Sequence, residues 1–185
     1  MSQTTKQSLA ESLKKLMNTT PLAKITINDI VLDCGVNRRT FYYHFQDIYA
    51  LLEWIFRTEV TSALAENTTS QTWQQGFLNI MIYLDKNRKM VLNTYNSIGR
   101  EHLETHLYSA VYVLVVHVVD EIAADMIVST EKKEFVVNFY KFAFVGLLLE
   151  WIRTNMTDNS GQIIDNLDKI ISGDIHRALL KCEIQ

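Results

Sequence analysis

Residues 25–52, ITINDIVLDCGVNRRTFYYHFQDIYALL, decide how the N-terminal part of this chain folds. The stretch begins with Thr26-x-x-Asp29, a pattern in which the threonine hydroxyl accepts a free backbone N–H of the first helical turn. The apolar residues that follow recur at i, i+3, i+4 and i+7, which predicts the buried stripe of a short helix. They are Ile27, Ile30, Val31 and Cys34. Gly35 predicts the end of this helix, because glycine adopts the left-handed conformation of a helix C-cap at little cost.

A second short helix is predicted directly after this glycine turn. One of its sides carries Phe41 and Phe45, which are four residues apart and therefore share a helix face. The opposite side carries Arg39, Tyr42 and Tyr43. A helix, a short glycine turn and a second helix with a basic and aromatic face indicate a helix-turn-helix. The second helix of such a motif enters the major groove of DNA.

The same stretch contains motifs that resemble the signature of the TetR family of bacterial transcriptional regulators. These motifs are Thr26-x-x-x-Ile30, Cys34-Gly35-Val36, Thr40-x-Tyr42-Tyr43-His44-Phe45 and Leu51-Leu52. The resemblance covers residues 1–55 and departs from the family pattern at two positions. Cys34 stands where alanine is usual, and Ile48 stands where many members have a lysine that contacts phosphate. The resemblance therefore does not imply that phosphate contact for this chain.

The resemblance implies an all-α fold with two domains. Residues 1–50 would form an N-terminal three-helix helix-turn-helix DNA-binding domain, and residues 51–185 a C-terminal helical domain for dimerisation and ligand binding. Hydrophobic periodicity agrees with this fold class and gives no convincing strand alternation. Beyond the helix-turn-helix it predicts helices over residues 4–18, 48–66, 72–85, 101–127, 131–155 and 162–181, with a short helix ending near Ser97.

We predict DNA contacts along both helices of the helix-turn-helix. The candidate residues are Thr26, Asn37, Arg38, Arg39, Thr40, Tyr42, Tyr43 and His44. Arg39 is expected to read a base edge, and Tyr42 and Tyr43 are expected to contact phosphates. For His44 two interpretations stay open, a half-buried histidine that bonds local backbone and a phosphate contact.

The charge distribution agrees with a sequence-specific DNA-binding protein. The whole chain has a formal net charge of −3, but Lys and Arg outnumber Asp and Glu within residues 1–50. A basic N-terminal part on an acidic remainder is expected for a protein that uses few phosphate contacts. We therefore expect double-stranded DNA as a partner, and we do not expect a protein that coats nucleic acid non-specifically.

Targeting signals and cysteines favour the cytoplasm. The N-terminus has no apolar stretch of the signal-peptide type. The apolar runs 107–119 and 135–152 are predicted to be buried helices, because the first is too short for a membrane and polar residues interrupt the second. Cys34 and Cys182 are the only cysteines, and they do not suggest a disulfide framework. We therefore expect no membrane association.

Catalysis and metal binding have little support in the sequence. It contains no Gly-rich phosphate loop, nucleophile elbow or Cys-x-x-Cys motif, so we expect neither an enzyme nor a cofactor. His102 and His106 are spaced i, i+4, with Glu104 between them. A zinc-protease helix needs its glutamate directly after the first histidine, and spacing fixes no third ligand here. Two solvated surface histidines are the commoner explanation, so no metal is expected.

The resemblance implies control by a small-molecule effector or a co-regulator protein, but it does not locate the pocket. Candidate effector-binding residues are Trp73, Phe77, Tyr83, Tyr95, Tyr108, Tyr112 and His117. Aromatic residues at helical spacing are more often part of a core than of a ligand cage.

The last predicted helices carry apolar residues around most of their circumference, which implies burial on several sides. They could form one monomer's core, or a four-helix dimer interface with two helices from each subunit. We favour the interface, because the resemblance points to a homodimer and a two-fold protein matches a palindromic operator. The candidate interface residues are Phe139, Ala143, Gly146, Leu167, Ile171 and Ile175.

The leading functional hypothesis is a homodimeric, sequence-specific transcriptional regulator. The segments LLEWIF, residues 51–56, and FYKFAFVGLLLEWI, residues 139–152, are also similar to a TetR subgroup associated with dihydroxyacetone kinase regulation. The alternative is a helical protein-interaction module that retains the fold without binding an operator.

Overall fold

The computed structural model describes residues 2–64, 67–171 and 173–182, and the regular structure of these residues is helical throughout. The predicted all-α fold class is confirmed. The helices are α1 Ser2–Met17, α2 Ile27–Asp33, α3 Arg38–His44, α4 Ile48–Leu64, α5 Trp73–Lys86, α6 Arg88–Tyr95, α7 Arg100–Ile122, α8 Thr130–Arg153, α9 Ser160–Ile171 and α10 Asp174–Cys182. A short 3-10 helix, Leu22–Lys24, lies between α1 and α2.

One predicted helix is in fact two, one predicted helix end was wrong, and another predicted end lies outside the described residues. The last helix, predicted over 162–181, is two helices, because Gly173 adopts a left-handed backbone with φ of 78° between α9 and α10. Helix α7 ends at Ile122 rather than near Ile127, and short-range backbone bonds replace the α-helical pattern beyond it. The predicted end of the fourth helix at Glu66 lies outside the described residues.

Packing divides the chain into two compact units. Unit 1 consists of Met1–Glu59 and Asn87–His106, and unit 2 consists of Val60–Lys86 and Leu107–Gln185. Each unit is therefore built from two separate segments of the chain. This is a division by packing, and the functional division at residues 50 and 51 stays a prediction.

The core of unit 1 collects the apolar faces of helices α1 to α4. Fully buried residues from these four helices include Leu9, Leu13, Ile30, Phe41, Leu51, Leu52 and Ile55. Polar contacts also join α1 to α2, since the Ser12 hydroxyl donates to the Ile30 carbonyl at 3.0 Å and Lys15 pairs with Asp33 at 2.5 Å. The helix-turn-helix thus rests on α1 through both apolar and polar contacts.

The core of unit 2 contains an aromatic cluster between α5 and α8. The rings of Trp73 and Phe77 lie 5.6 and 4.9 Å from the ring of Phe144, measured between centroids. Gly76 lies on the same helix, and the backbone of Asn67 comes so close to it that only glycine fits. A Cβ there would lie 2.1 Å from the Asn67 carbonyl oxygen.

Helices α7 and α8 are long and apolar enough to cross a bilayer, judged by length and composition alone. In each, 44% of the most apolar window is buried inside the protein. Within unit 2 these buried positions include Val111 and Leu114 of α7, and Val145 and Leu148 of α8. Core helices of proteins commonly have such a composition, and the apolar residues of α7 and α8 form part of the core of unit 2.

Candidate DNA-binding surface

Helix α2 begins with the capping box predicted from the sequence. The Thr26 hydroxyl accepts the N–H of Asp29 at 3.2 Å, and the Asp29 carboxylate accepts the N–H of Thr26 at 2.8 Å. The pKa of Asp29 is held below its usual value, mainly by the hydrogen bond from the Thr26 hydroxyl and to a lesser extent by the one from the Thr26 N–H. The start of the helix-turn-helix is therefore fixed by its own side chains.

The turn between α2 and α3 combines a glycine with an asparagine cap. Gly35 has a φ of 70°, and the following N–H, that of Val36, donates to the Val31 carbonyl at 3.0 Å. Asn37 then caps α3, because its Oδ1 accepts the Thr40 N–H at 2.8 Å and the Thr40 hydroxyl at 3.1 Å. These bonds define the direction in which α3 leaves the turn.

One face of α3 is anchored in the core of unit 1. Phe41 is fully buried and Phe45 nearly so, with 6.1 Å between their ring centroids. The ring of Phe45 also lies 6.0 Å from that of Trp54 on α4. Because both anchors are packed, the opposite face of α3 has a defined direction.

That opposite side is exposed and carries Arg39, Tyr42 and Tyr43, with the exposed Arg38 on its flank, and we name these four residues the recognition surface. Tyr43 is 81% exposed and Tyr42 is 51% exposed, which is unusual for large aromatic side chains. The Arg38 guanidinium donates to the Tyr42 hydroxyl at 3.4 Å, whereas Arg39 is exposed on the neighbouring ridge of the helix. Guanidinium groups and phenols can donate to phosphates and base edges.

The other predicted DNA-contact residues occupy structural positions. Thr26, Asn37 and Thr40 make the helix caps described above. His44 is half-buried, with its ring 4.9 Å from that of Tyr43 and 6.4 Å from that of Phe45. Whether these residues also contact DNA stays a prediction.

Lys6 of α1 was not among the predicted DNA-contact residues. Its ammonium lies 5.8 Å from the ring centre of Phe45, which places a positive charge beside α3. The excess of lysine and arginine in residues 1–50 was the available signal, but periodicity alone does not show which lysine lies next to the recognition helix.

The predicted effector-binding residues do not converge on one pocket. Trp73 lines a cleft of about 230 Å³ in unit 2, together with Gln74, Asp168 and His176, and Gln74 donates to Asp168 at 2.8 Å. Phe77 is buried in the aromatic core and His117 is exposed.

The predicted tyrosines each have a different setting. Tyr83 of α5 is half-buried, and Tyr95 belongs to unit 1, where the Arg100 guanidinium lies 4.4 Å from its ring centre. Tyr108 packs edge-on against Phe142 with 5.6 Å between centroids. Tyr112 donates to Glu134 at 3.2 Å, and the charge of that carboxylate raises the pKa of the phenol. Their role in effector binding stays a prediction.

The predicted interface residues separate into two groups. Phe139, Ala143 and Gly146 lie on an exposed face of α8, where Phe139 is 61% exposed. Leu167, Ile171 and Ile175 are instead buried in the core of unit 2. These side chains pack within their own chain, and whether they also face a partner subunit stays a prediction.

The histidines His102 and His106 are not the solvated pair expected from the sequence. His106 is buried, with its ring stacked 6.3 Å from that of Phe56, and His102 is half-buried, with its ring stacked 5.5 Å from that of Tyr49. Burial is the main cause that lowers the pKa of His106. Among the described residues, no group of three or more His, Cys, Asp or Glu side chains could hold a metal ion.

Two family models match this chain. The model described as "Bacterial regulatory proteins, tetR family" matches residues 9–55, which include the helix-turn-helix. The model described as "Transcriptional regulator C-terminal region" matches residues 71–173, more than half of the chain.

A curated relative and a solved structure are also similar. The HTH-type dhaKLM operon transcriptional activator DhaS of Lactococcus lactis subsp. lactis (strain IL1403) is 32% identical over 84 residues. These residues make up 45% of this chain and 45% of the relative, so the match spans less than half of the relative's length. The structure named "Dihydroxyacetone kinase operon activator DhaS" is 21% identical, with a TM-score of 0.72 over 97% of this chain and 98% of that chain. At that identity, this likeness shows a shared fold.

All of these matches are to transcriptional regulators, which confirms the prediction that the chain is not an enzyme. The tetR-type model coincides with the helix-turn-helix whose caps, anchors and exposed face are described above. The second model extends the match through most of unit 2. The chain belongs to the TetR family of bacterial transcriptional regulators.

Proposed function

We propose that the protein regulates transcription by binding a palindromic DNA operator as a homodimer, with one α3 helix in each half-site. The observation that carries this proposal is the recognition surface. It exposes the Arg39 guanidinium and two phenols on the side of α3 opposite the buried Phe41 and Phe45, and the Arg38 guanidinium on the flank of that side. A dimer would place its two α3 helices about 34–36 Å apart, so that they occupy successive major grooves.

Within the recognition surface we assign sequence reading to Arg39 and positioning to the other residues. An exposed arginine near the start of a recognition helix is suited to bidentate hydrogen bonding with O6 and N7 of guanine. Arg38 is already engaged with the Tyr42 hydroxyl, so we assign this pair to the phosphate backbone. Tyr43, the most exposed of these aromatic residues, would donate to a phosphate and set the register.

For the homodimer we propose the exposed apolar face of α8. This face carries Phe135, Phe139 and Phe142, which are between 57 and 73% exposed, next to the small residues Ala143 and Gly146. A Cβ added to Gly146 would meet no described atom within 4 Å, so another helix has room to approach there. An apolar patch of this kind marks an interaction site, and a self-complementary helix face suits a two-fold dimer.

For the target and its control we propose a dihydroxyacetone kinase operon, activated in response to a small-molecule effector or a partner protein. The names of the relative and of the similar structure, both operon activators, support this choice. The cleft lined by Trp73, Gln74, Asp168 and His176 is the place in unit 2 that we propose for a small molecule. We propose the cytoplasm as the location, since the operator is there.

A gel-shift assay with genomic fragments that flank the gene tests the proposal. The purified protein should retain one fragment in the presence of excess non-specific DNA at physiological salt, and footprinting should show two symmetric half-sites. The double variant with Arg38→Ala and Arg39→Ala should lose this selectivity while it keeps the helical content of the wild type. A folded wild-type protein that selects no fragment would contradict the proposal and favour the protein-interaction module.

A further inference from the structure

The end of α1 depends on a side chain from another helix. The last carbonyls of any α-helix have no partner within the helix and need donors from elsewhere. In α1 the Leu16 carbonyl accepts the N–H groups of Thr19 and Thr20 at 3.1 and 2.9 Å. The carbonyl of Met17, the last residue of α1, instead accepts the side-chain amide of Asn93 at 3.0 Å. Asn93 belongs to α6 and lies 76 residues further along the chain.

The same Asn93 amide also fixes the connection that follows α1. Its Nδ2 donates to the Thr20 carbonyl at 2.8 Å, and its Oδ1 accepts the Leu22 N–H at 2.8 Å. Leu22 begins the 3-10 helix, and the residue before it, Pro21, makes no side-chain cap. One side chain therefore caps the end of α1 and the start of the next helix, and it uses both of its donors and its acceptor.

This connection leads directly into the helix-turn-helix. The Leu22 carbonyl accepts the N–H of Ile25 at 3.1 Å, and the next residue, Thr26, is the cap of α2. We propose that Asn93 is a positioning residue that holds the chain path into the helix-turn-helix, so that α6 determines how firmly α2 and α3 are presented to DNA. The part that concerns DNA rests on the proposed function, whereas the part that concerns the chain path does not.

An open groove beside Asn93 explains why hydrogen bonds, rather than apolar packing, hold the end of α1 and the segment after it. The two segments that it joins border an open groove of about 900 Å³, lined on one side by Met17 and Pro21 and on the other by Leu92 and Ile98. Ile98 is 77% exposed, so apolar packing does not close the groove. Within unit 1 the bonds of Asn93 bridge segments that are separated by open space along part of their length.

Two variants and a matched control test the inference. Asn93→Leu keeps a similar volume and removes all three hydrogen bonds, whereas Asn93→Asp keeps the acceptor for the Leu22 N–H and removes both donors. Asn96→Leu is the control, because Asn96 is exposed on the same stretch and its amide donates only to the Leu92 carbonyl of its own helix. Amide hydrogen exchange is measured without DNA, and operator affinity is measured at a temperature where all proteins are folded.

Both Asn93 variants should accelerate exchange in residues 18–34 by about five- to thirty-fold, as expected for the loss of local stability, and leave exchange in α8 unchanged. Operator binding should weaken by at most that factor, with no change in the preferred sequence, because binding must then order a more mobile helix-turn-helix. The Leu22 amide should stay better protected in Asn93→Asp than in Asn93→Leu. The control should behave as the wild type in every measurement.

Wild-type exchange in residues 18–34 of both Asn93 variants would overturn the inference, and so would acceleration that is equal in residues 18–34 and in α8. If exchange in residues 18–34 is faster in the Asn93 variants but their operator affinity equals that of the wild type, Asn93 does not affect how α2 and α3 are presented to DNA. A wild-type protein that selects no DNA would refute the proposed function, while the exchange measurements would still decide whether Asn93 holds the chain path. If Asn93→Leu does not fold, Asn93→Asp decides the same question.

Discussion

The imidazole of His106 is stacked on the ring of Phe56, with 6.3 Å between the ring centroids and 28° between the planes. Both side chains are buried in unit 1, so the imidazole is held in an apolar setting that disfavours its charged form. Burial is the main cause that lowers the pKa of His106. His102 and Arg57 lower it further, and Glu53 acts in the opposite direction.

This stacking predicts that the protein loses stability as the pH falls below about 6.5, the ordinary pKa of histidine. The unfolded chain protonates His106 at a higher pH than the folded chain does, so acid favours unfolding until the pH falls below the folded pKa. Thermal unfolding between pH 8 and pH 5 measures the effect. The carboxylates of Asp29 and Asp33 have lowered pKa values and lose their contribution only at more acidic pH.

The variant His106→Leu should reduce the dependence of thermal stability on pH between pH 8 and pH 5, whatever its effect on stability at pH 8. His117→Gln is the matched control, because His117 is exposed on the same helix. An unchanged slope in His106→Leu would show that other groups cause the acid sensitivity.

Arg39→Ala should weaken operator binding by about 1–3 kcal/mol and relax specificity at one position of each half-site, because it removes a bidentate contact to a base. Binding to a set of operators with single base changes measures both effects. Arg38→Ala should weaken binding to all sequences alike and lower the salt dependence, as expected for a phosphate contact. If Arg39→Ala keeps the wild-type base preference, Arg39 is not the base reader.

Tyr43→Phe should lower operator affinity and leave the preferred sequence unchanged, because it removes one hydroxyl that we assign to a phosphate. A net contribution of about 0.5–1.5 kcal/mol is expected for such a hydrogen bond. Selection of binding sites from a random pool, for wild type and variant, checks the assignment. A changed consensus would make Tyr43 a base reader.

Phe139→Glu should weaken the proposed homodimer by at least about 30-fold, roughly 2 kcal/mol, because it places an unpaired charge in an apolar contact. Sedimentation over a range of concentrations measures the change. Ile82→Glu is the control, since Ile82 is a half-exposed apolar residue on α5 rather than on the exposed face of α8. Equal dimerisation of wild type and Phe139→Glu would exclude this face of α8.

Local patterns predicted the helix-turn-helix because its determinants lie close together in the sequence. The Thr26 and Asp29 box, the left-handed Gly35 and the buried Phe41 all have the structural role that was expected. Hydrophobic periodicity was less reliable where the apolar spacing of a helix continued across a residue that ends the helix. Ile171 and Ile175 keep a helical spacing on either side of Gly173, and the chain is nevertheless divided into two helices there.

Other features depend on contacts between distant parts of the chain. The burial of Leu167, Ile171 and Ile175 in the core of unit 2 is one such feature. The burial of His106 depends on α4 and α7 meeting at Phe56, and the role of Asn93 depends on partners more than 70 residues away. Hydrophobic periodicity describes one helix at a time and does not contain this information.

The two-segment composition of unit 1 has a consequence for the order of events during synthesis. The chain leaves the ribosome from its N-terminus at about 5–20 residues per second, and Asn87–His106 emerges only after all of the first segment. Until then the Met17 carbonyl and the Leu22 N–H have no Asn93 to bind, and Phe56 has no His106 to stack on. We therefore expect a nascent chain that stops before Asn87 to hold a helix-turn-helix that is more readily cleaved by protease than that of the complete protein.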